Sequence, residues 1–341
     1  MRKRVGIWAS GLVIVAVLCL ILHYSFRKPY ILTDLGTLGG QESRAYALND
    51  RGQVVGQADT SYQYPHAFLS EHGHMTDLGT LGGQNSCAYA INNLGQVVGV
   101  SQISWRQGHA FLWQQGKMLD LGTLGGLNSV ACGINDAGQI VGSAQLPDGG
   151  THACLWEHGR IQDLGTLGGK SSIALAINRA GHIVGQAHTA HRLSHAFLYR
   201  EGKMLDLGTL GGQDSTAYDI NTQEEVVGAA DTANEDWHAF RYVDGRMEDI
   251  HPAQATVSEA CAINAAGRIL GTAQNSNRNE YAWGLNGSRQ INANTLSEWL
   301  KAWTVTEGPA TKHNLAINNR DQIVMTCYAR GKTVALCFSP R

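Results

Sequence analysis

The chain has 341 residues, 43% hydrophobic and 16% charged, with a formal net charge of −2. Acidic and basic residues are interspersed, which excludes the basic footprint expected of a nucleic-acid binder or of a protein held on an anionic membrane surface by charge. Forty-one glycines against six prolines suit many tight turns between short strands.

At the N-terminus, Arg2-Lys3-Arg4 precedes an apolar run from Val5 to Phe26, and Arg27 and Lys28 follow it. About 20 apolar residues, rising ~1.5 Å each, cross a ~30 Å hydrocarbon core. The run lacks a small-x-small cleavage pattern, and Cys19 follows Val17-Leu18, where a lipoprotein site would want a small residue. Residues 1–4 therefore read as a cytoplasmic basic region and 5–26 as an uncleaved signal anchor, a single transmembrane helix. The remainder is expected outside the cytoplasmic membrane, periplasmic or extracellular, and secreted if the segment is cleaved.

From residue 30 onward the chain repeats. Asp34-Leu-Gly-Thr-Leu-Gly-Gly40 recurs at Asp77, Asp120, Asp163 and Asp206, each 43 residues after the last, and the step continues through Asp249-Ile250-His251-Pro252. A fixed period of this length marks a solenoid, a propeller or an array. Each unit predicts four short strands. The first is Ser-x-Ala-x-Ala-Ile-Asn, as in Ser43 to Asn49, with small alternating residues suited to a crowded axis. A glycine turn leads to a β-branched second strand such as Gln53–Gly56. A stretch of about ten residues then differs in every copy. The third strand opens at His66, His109, His152, His195 and His238, each followed by alanine. The fourth is Met-x-Asp-Leu, and Gly-Thr-Leu-Gly-Gly crosses to the next unit.

Four antiparallel strands per unit is the pattern of a propeller blade. The Ala-Ile-Asn strands, ending at residues 49, 92, 135, 178, 221, 264 and 318, predict an all-β, seven-bladed β-propeller over residues 30–341. The chain enters on a fourth strand, residues 30–36, and leaves on a third, residues 334–338. The first strand is thus expected to complete the last blade, a 3+1 closure that removes the open sheet edge. The last unit is longer by an insertion within 292–314, where Leu296, Trp299, Leu300 and Trp303 have helical spacing. Strand direction places the glycine crossovers and the variable stretches on one face.

His-Ala-Phe-Leu, Ala-Ile-Asn-x-x-Gly-Gln-Val-Val-Gly and Asp-Leu-Gly-Thr-Leu-Gly-Gly together resemble the HAF-repeat family of probable extracellular repeats in bacteria. Trp303-Thr-Val-Thr306 and Leu336-Cys-Phe-Ser-Pro340 resemble that family's C-terminal unit. The resemblance covers roughly residues 30–341 and implies an exported β-propeller. It brings no activity and no site residues.

Five histidines at one repeat position invite a metal, but symmetry spreads them around a ring, whereas a metal needs ligands ~2 Å from one point. The sequence predicts no metal and no cofactor. Asp77, His66 and Ser43 instead suggest a buried structural set within the first blade, repeated as Asp120, His109 and Ser86 and continued by His152, His195 and His238. Six cysteines outside the apolar run lack CxxC or metal-ligand spacing. Cys327 and Cys337 flank one turn, where either free thiols or a hairpin disulfide fits. Glycine loops without Lys-Thr/Ser do not make a phosphate cradle.

The variable stretches carry Tyr62, Tyr64, Trp105, Arg106, His188, His191, Arg192, Asp231, Glu235, Asp236, Trp237, Arg278 and Glu280. Aromatics interleaved with arginine suit recognition. The leading expectation is a monomeric, membrane-anchored binding module for a protein or glycan, without catalysis. The alternative is a hydrolase or lyase in the central pocket. A module that only positions its anchor is a third reading.

Overall fold

The computed structural model describes residues 30–277, 280–286, 289–291, 304–305, 315–329 and 332–340. The expected membrane helix at 5–26, the helical spacing around Trp299 and most of the insertion lie outside them. No helix among the described residues is long and apolar enough to cross a membrane.

All regular structure described is β-strand. The first blade is Gly39–Leu48, Val54–Thr60, Pro65–Glu71 and His74–Asp77, paired antiparallel in that order. Five further four-stranded units follow, beginning at Ser86, Ser129, Gly168, Gly211 and Val257. The seventh unit runs Leu315–Ile317, Ile323–Ala329 and Lys332–Pro340, and Tyr30–Asp34 joins it from the other end of the chain. Its register is antiparallel, from Tyr30 against Pro340 to Asp34 against Leu336. The first strand in sequence is therefore the outermost strand of the last blade. In that blade the inner position is shared, with Leu315–Ile317 facing Ile323–Met325 and Thr304–Val305 facing Cys327 and Tyr328.

The asparagine ending each inner strand closes the ring. Asn49 Nδ2 donates to the Asn92 carbonyl, Asn92 to Asn135, and so on through residues 178, 221, 264 and 318, whose amide returns to the Asn49 carbonyl. The seven bonds span 2.9–3.4 Å. Each amide also organises its own turn: Asn49 Oδ1 accepts the Arg51 and Gln53 N–H groups.

Two glycine positions follow from backbone approach. Ala45 faces Gly56 and Ala47 faces Val55, so Tyr46 is an extra residue bulged out of the inner strand. The same bulge recurs in the next five blades. It drives a carbonyl into the neighbouring strand. A Cβ at Gly56, Gly99, Gly142, Gly185, Gly228 or Gly271 would lie 1.8–2.1 Å from that oxygen. In the crossovers, a Cβ at Gly40, Gly83, Gly126, Gly169 or Gly212 would lie 2.4–2.7 Å from the end of its blade's second strand.

Blades are glued face to face. Second strands are buried on both faces, since each sheet packs between two others. Val55, Ala67 and Leu69 of the first blade form one cluster with Ala88, Ile91, Val97 and Phe111 of the second. Phe68 packs with Val324, Ala335 and Cys337 of the seventh, which carries the core through the closure. Burying each such phenylalanine is worth about 2–3 kcal/mol. The six described cysteines are buried, and no disulfide joins them to one another. Cys327 faces Val334 and Cys337 faces Val324, so the strand register holds these two apart.

Candidate binding face and central cavity

Each repeated histidine pairs with the aspartate of its own blade: His66, His109, His152, His195 and His238 place Nδ1 2.8–2.9 Å from Asp77, Asp120, Asp163, Asp206 and Asp249. The serine does not join within the blade, contrary to the sequence reading. Ser43 accepts the Ala335 N–H of the last blade. Ser86, from the second blade, accepts the Ala67 N–H at 2.8 Å and donates to the Gly79 carbonyl at 2.5 Å. The serine thus ties each inner strand to the blade before it. Nor is the set buried, because the histidine side chains are 17–22% and the aspartates 37–44% exposed. Asp77 Oδ1 also accepts the Gly79 N–H at 2.8 Å, so the carboxylate both holds its histidine and shapes the crossover. In the sixth crossover His251 replaces the glycine. Its ring stacks on His238 with centroids 3.7 Å apart, and its Nδ1 lies 2.7 Å from Ser258 Oγ. Among the described residues no three His, Cys, Asp or Glu side chains converge as a metal site.

The crossovers and the variable connections share one face, as strand direction requires. Gly83 N–H donates to the Gln102 carbonyl, and Leu38 bridges Thr60. The variable stretches are mostly strand rather than loop. His188, Asp231 and Trp237 lie within Ile183–Thr189, Val226–Thr232 and Trp237–Val243, because the hairpin ladder continues to His188 against Ser194 and Asp231 against Trp237. True connections remain at 61–64, 105–106, 146–150, 190–193 and 233–236. Glu280 opens the third strand of the sixth blade opposite Gln274, and Arg278 lies outside the described residues.

Four of these connections have one backbone. Thr60, Leu146, Thr189 and Thr232 each donate N–H to the carbonyl four residues on and accept N–H from the residue three on. That third residue is left-handed in every case: Gln63 at φ 63°, Gly149 at 86°, Arg192 at 67° and Glu235 at 63°. On this common turn the exposed side chains differ: Tyr62 (82% exposed) in the first blade, His191 and Arg192 in the fourth, Glu235 and Asp236 in the fifth. The second blade replaces it with a two-residue tip, Trp105-Arg106, whose indole is 83% exposed. Tyr64 is anchored at its hydroxyl by Gln84 Nε2. Trp237 is turned inward, its Nε1 donating to Glu259 Oε1 at 3.0 Å.

Along the axis lies a cavity of about 200 Å³, walled by the lower halves of all seven inner strands. Its wall is largely Ala, Leu and Ile, with Tyr46, Tyr218 and Cys261 among the bulged residues. Asp219 stands where the other copies have Ala47, Ala90, Gly133, Ala176, Ala262 and Ala316. Its Oδ1 accepts the Ile220 N–H and its Oδ2 the Ile263 N–H, each at 2.9 Å. Burial, then the nearby Glu259 carboxylate, pushes the Tyr218 hydroxyl well above its ordinary range. Burial also raises the Cys261 thiol. Asp219 was absent from the sequence expectations; comparing the repeats position by position, as a departure from Ala/Gly, is the signal that finds it.

No family model matches the sequence, and no curated protein matches it. Solved structures do match in fold. A puromycin-hydrolyzing peptidase of Mycobacterium tuberculosis is similar at TM-score 0.57 and 12% identity, over 85% of this chain and 49% of that one. A puromycin hydrolase is similar at TM-score 0.55 and 12% identity, over 86% and 51%. TolB from Acinetobacter baumannii gives TM-score 0.49 and 8% identity, over 69% and 61%. The chain spans about half the length of the two hydrolases. At these identities the likeness is one of fold: an all-β, propeller-like array of four-stranded antiparallel sheets.

Proposed function

We propose that the protein is an exported, membrane-anchored propeller of the HAF-repeat type, a monomer that binds a protein or glycan through the face carrying the variable connections. The observation that supports this most is the shared turn. Four blades hold one backbone while its side chains change from tyrosine to arginine to glutamate. A rigid frame with varied tips presents aromatic, basic and acidic groups at low ordering cost. Three of the four copies keep a long polar side chain at the left-handed position, where Gly149 shows that glycine suffices. A non-glycine residue there is disfavoured by about 1 kcal/mol, a cost that recognition would justify. The central cavity is less suited to hydrolysis. Among the described residues its lining offers Asp219 but no base–nucleophile pair, and burial raises the Cys261 thiol.

The test replaces Tyr62 and Trp105 with alanine and Arg192 and Glu235 with glycine in one variant. Immobilised wild type and variant are then exposed to envelope glycans and envelope proteins in parallel. A variant of unchanged melting temperature that retains neither fraction supports the reading. Undiminished retention by a folded variant ends it.

A further inference from the structure

We infer that the variable face holds a neutral sugar in a notch between the first and second blades, above Gly82. The inference rests on the reading of this face as a binding surface and adds the place and the class of ligand. It starts from a broken repeat. Four of the five glycine crossovers are roofed by the connection of the blade they enter. A Cβ at Gly39, Gly125, Gly168 or Gly211 would lie 3.1–3.6 Å from Ser61, Pro147, Ala190 or Ala233. These roofing residues share one register of the 43-residue period. The fifth crossover is open: a Cβ at Gly82 would meet nothing within 4 Å among the described residues. The cause is the two-residue tip of the second blade. Ser104, at the register of the roofing residues, is drawn into the ladder opposite Gln107 and does not lie over the crossover.

Aromatic and amide groups stand around this opening. Gly83 N–H donates to the Gln102 carbonyl at 2.9 Å, which holds the crossover against the hairpin that carries Trp105. On the other side Gln84 Nε2 donates to the Tyr64 hydroxyl of the first blade at 3.2 Å. Tyr64 is 42% and Trp105 83% exposed. The face of an aromatic ring is negative, and the C–H groups along one side of a pyranose are slightly positive, so the two stack. A carboxamide donates and accepts, as a sugar hydroxyl does. Gln84 is exposed and has an oxygen and a second N–H besides the one given to Tyr64. Charge selects a neutral ligand. Across 61–64, 79–85 and 101–108 the sole charged side chain is Arg106, whereas the fourth and fifth connections carry Arg192, Asp231, Glu235 and Asp236. A peptide would offer the opening an apolar side chain. The floor is glycine backbone and the rim carries amides, groups that hydroxyls satisfy and methyl groups do not.

The experiment titrates the full-length protein with the methyl glycosides of glucose, galactose, mannose and N-acetylglucosamine, read by saturation-transfer NMR. Glucuronate and glucosamine are the charged counterparts, and acetyl-Ala-Leu-Ala-amide is the peptide probe. Trp105→Ala removes the ring and Gln84→Ala the amide. Gln213→Ala removes the equivalent amide beside the roofed Gly211 and serves as the control. The expected result is saturable binding of at least one neutral glycoside, tighter than that of the charged and peptide probes. Trp105→Ala and Gln84→Ala should each weaken it by about tenfold with the fold intact by circular dichroism, and Gln213→Ala should leave it unchanged. Tighter binding of a charged or peptide probe overturns the inference, as does undiminished glycoside binding by both variants or an equal loss in Gln213→Ala. So does the absence of saturable binding by every neutral glycoside. If Trp105→Ala unfolds, Gln84→Ala alone decides. Retention of envelope protein by wild type, lost in the variant altered at Tyr62, Trp105, Arg192 and Glu235, separates the two readings. With that retention the sugar assignment falls alone; without it the binding face falls as well.

Discussion

The ring of asparagines makes a strong quantitative claim about Asn135. Its side chain is 5% exposed and fully engaged. Nδ2 donates to Gln139 Oε1 at 2.7 Å and to the Asn178 carbonyl at 3.1 Å, while Oδ1 accepts the Ala137 and Gln139 N–H groups, each at 3.1 Å. Asn135→Ala orphans two N–H groups of its own turn and leaves the Asn178 carbonyl with the Gly181 N–H alone. Each buried orphan costs about 1–3 kcal/mol, and partial rehydration at the turn brings the expected total to about 2–4 kcal/mol. Asn135→Asp separates the two roles. It keeps the acceptor for the turn but points a carboxylate oxygen at the Asn178 carbonyl and Gln139 Oε1, both acceptors. It should therefore be at least as destabilising at pH 7. Because the ionised form is the disfavoured one, stability should return as pH falls and the carboxyl gains a proton to donate. Gln139→Ala, which removes one acceptor of Asn135 and a partly buried bond to Glu157 Oε1, should cost about 1–2 kcal/mol. Urea unfolding followed by tryptophan fluorescence measures all three. An Asn135→Ala midpoint within 1 kcal/mol of wild type, or an Asn135→Asp protein as stable as wild type at pH 7, refutes the account.

Two further outcomes are expected. Removing residues 30–35 strips the outer strand from Lys332–Pro340. It should lower the melting temperature and increase proteolysis of the seventh blade; unaltered melting would mean the closure is dispensable. The buried thiols set an alkaline limit: burial pushes Cys87 from 9.0 up to about 12. The unfolded chain releases that proton first, so stability is whole below pH 9 and falls as pH rises toward the folded value. At pH 10.5 the loss is about 2 kcal/mol for such a thiol. Cys87→Val, the side chain found at the equivalent Val130, should remove that part of the decline, and an identical pH profile would show that Cys87 does not contribute.

Much of the scaffold was legible because a period converts sequence into geometry. The seven inner strands, the shared face and the closing first strand follow from counting directions along a 43-residue unit. The placement of Ser43 did not follow. A residue just past a crossover belongs to the next blade in sequence but lies against the previous one in space, and order along the chain does not say which sheet it faces. The shared turn was hidden for a related reason. Gln63, Gly149, Arg192 and Glu235 fall at one register of the 43-residue period but have little chemistry in common, and only the backbone angles reveal that they share a left-handed turn. The bulge that selects Gly56 was likewise invisible, since Tyr46 fits a strand's alternation.

The closing strand also sets an order of events. Tyr30 finds its partner in Pro340, at the opposite end of the chain. Every other blade can assemble from neighbouring sequence as synthesis proceeds, whereas Tyr30–Asp34 must wait until nearly the whole chain has been made. During that interval its backbone groups and those of Lys332–Pro340 are open edges, the kind that recruit foreign strands. Closing so long a loop adds only slowly to the entropic cost, but it delays the last cooperative step. The time between synthesis and sealing is therefore when this protein is most exposed to mispairing, and a chaperone or a neighbouring copy would act on it there.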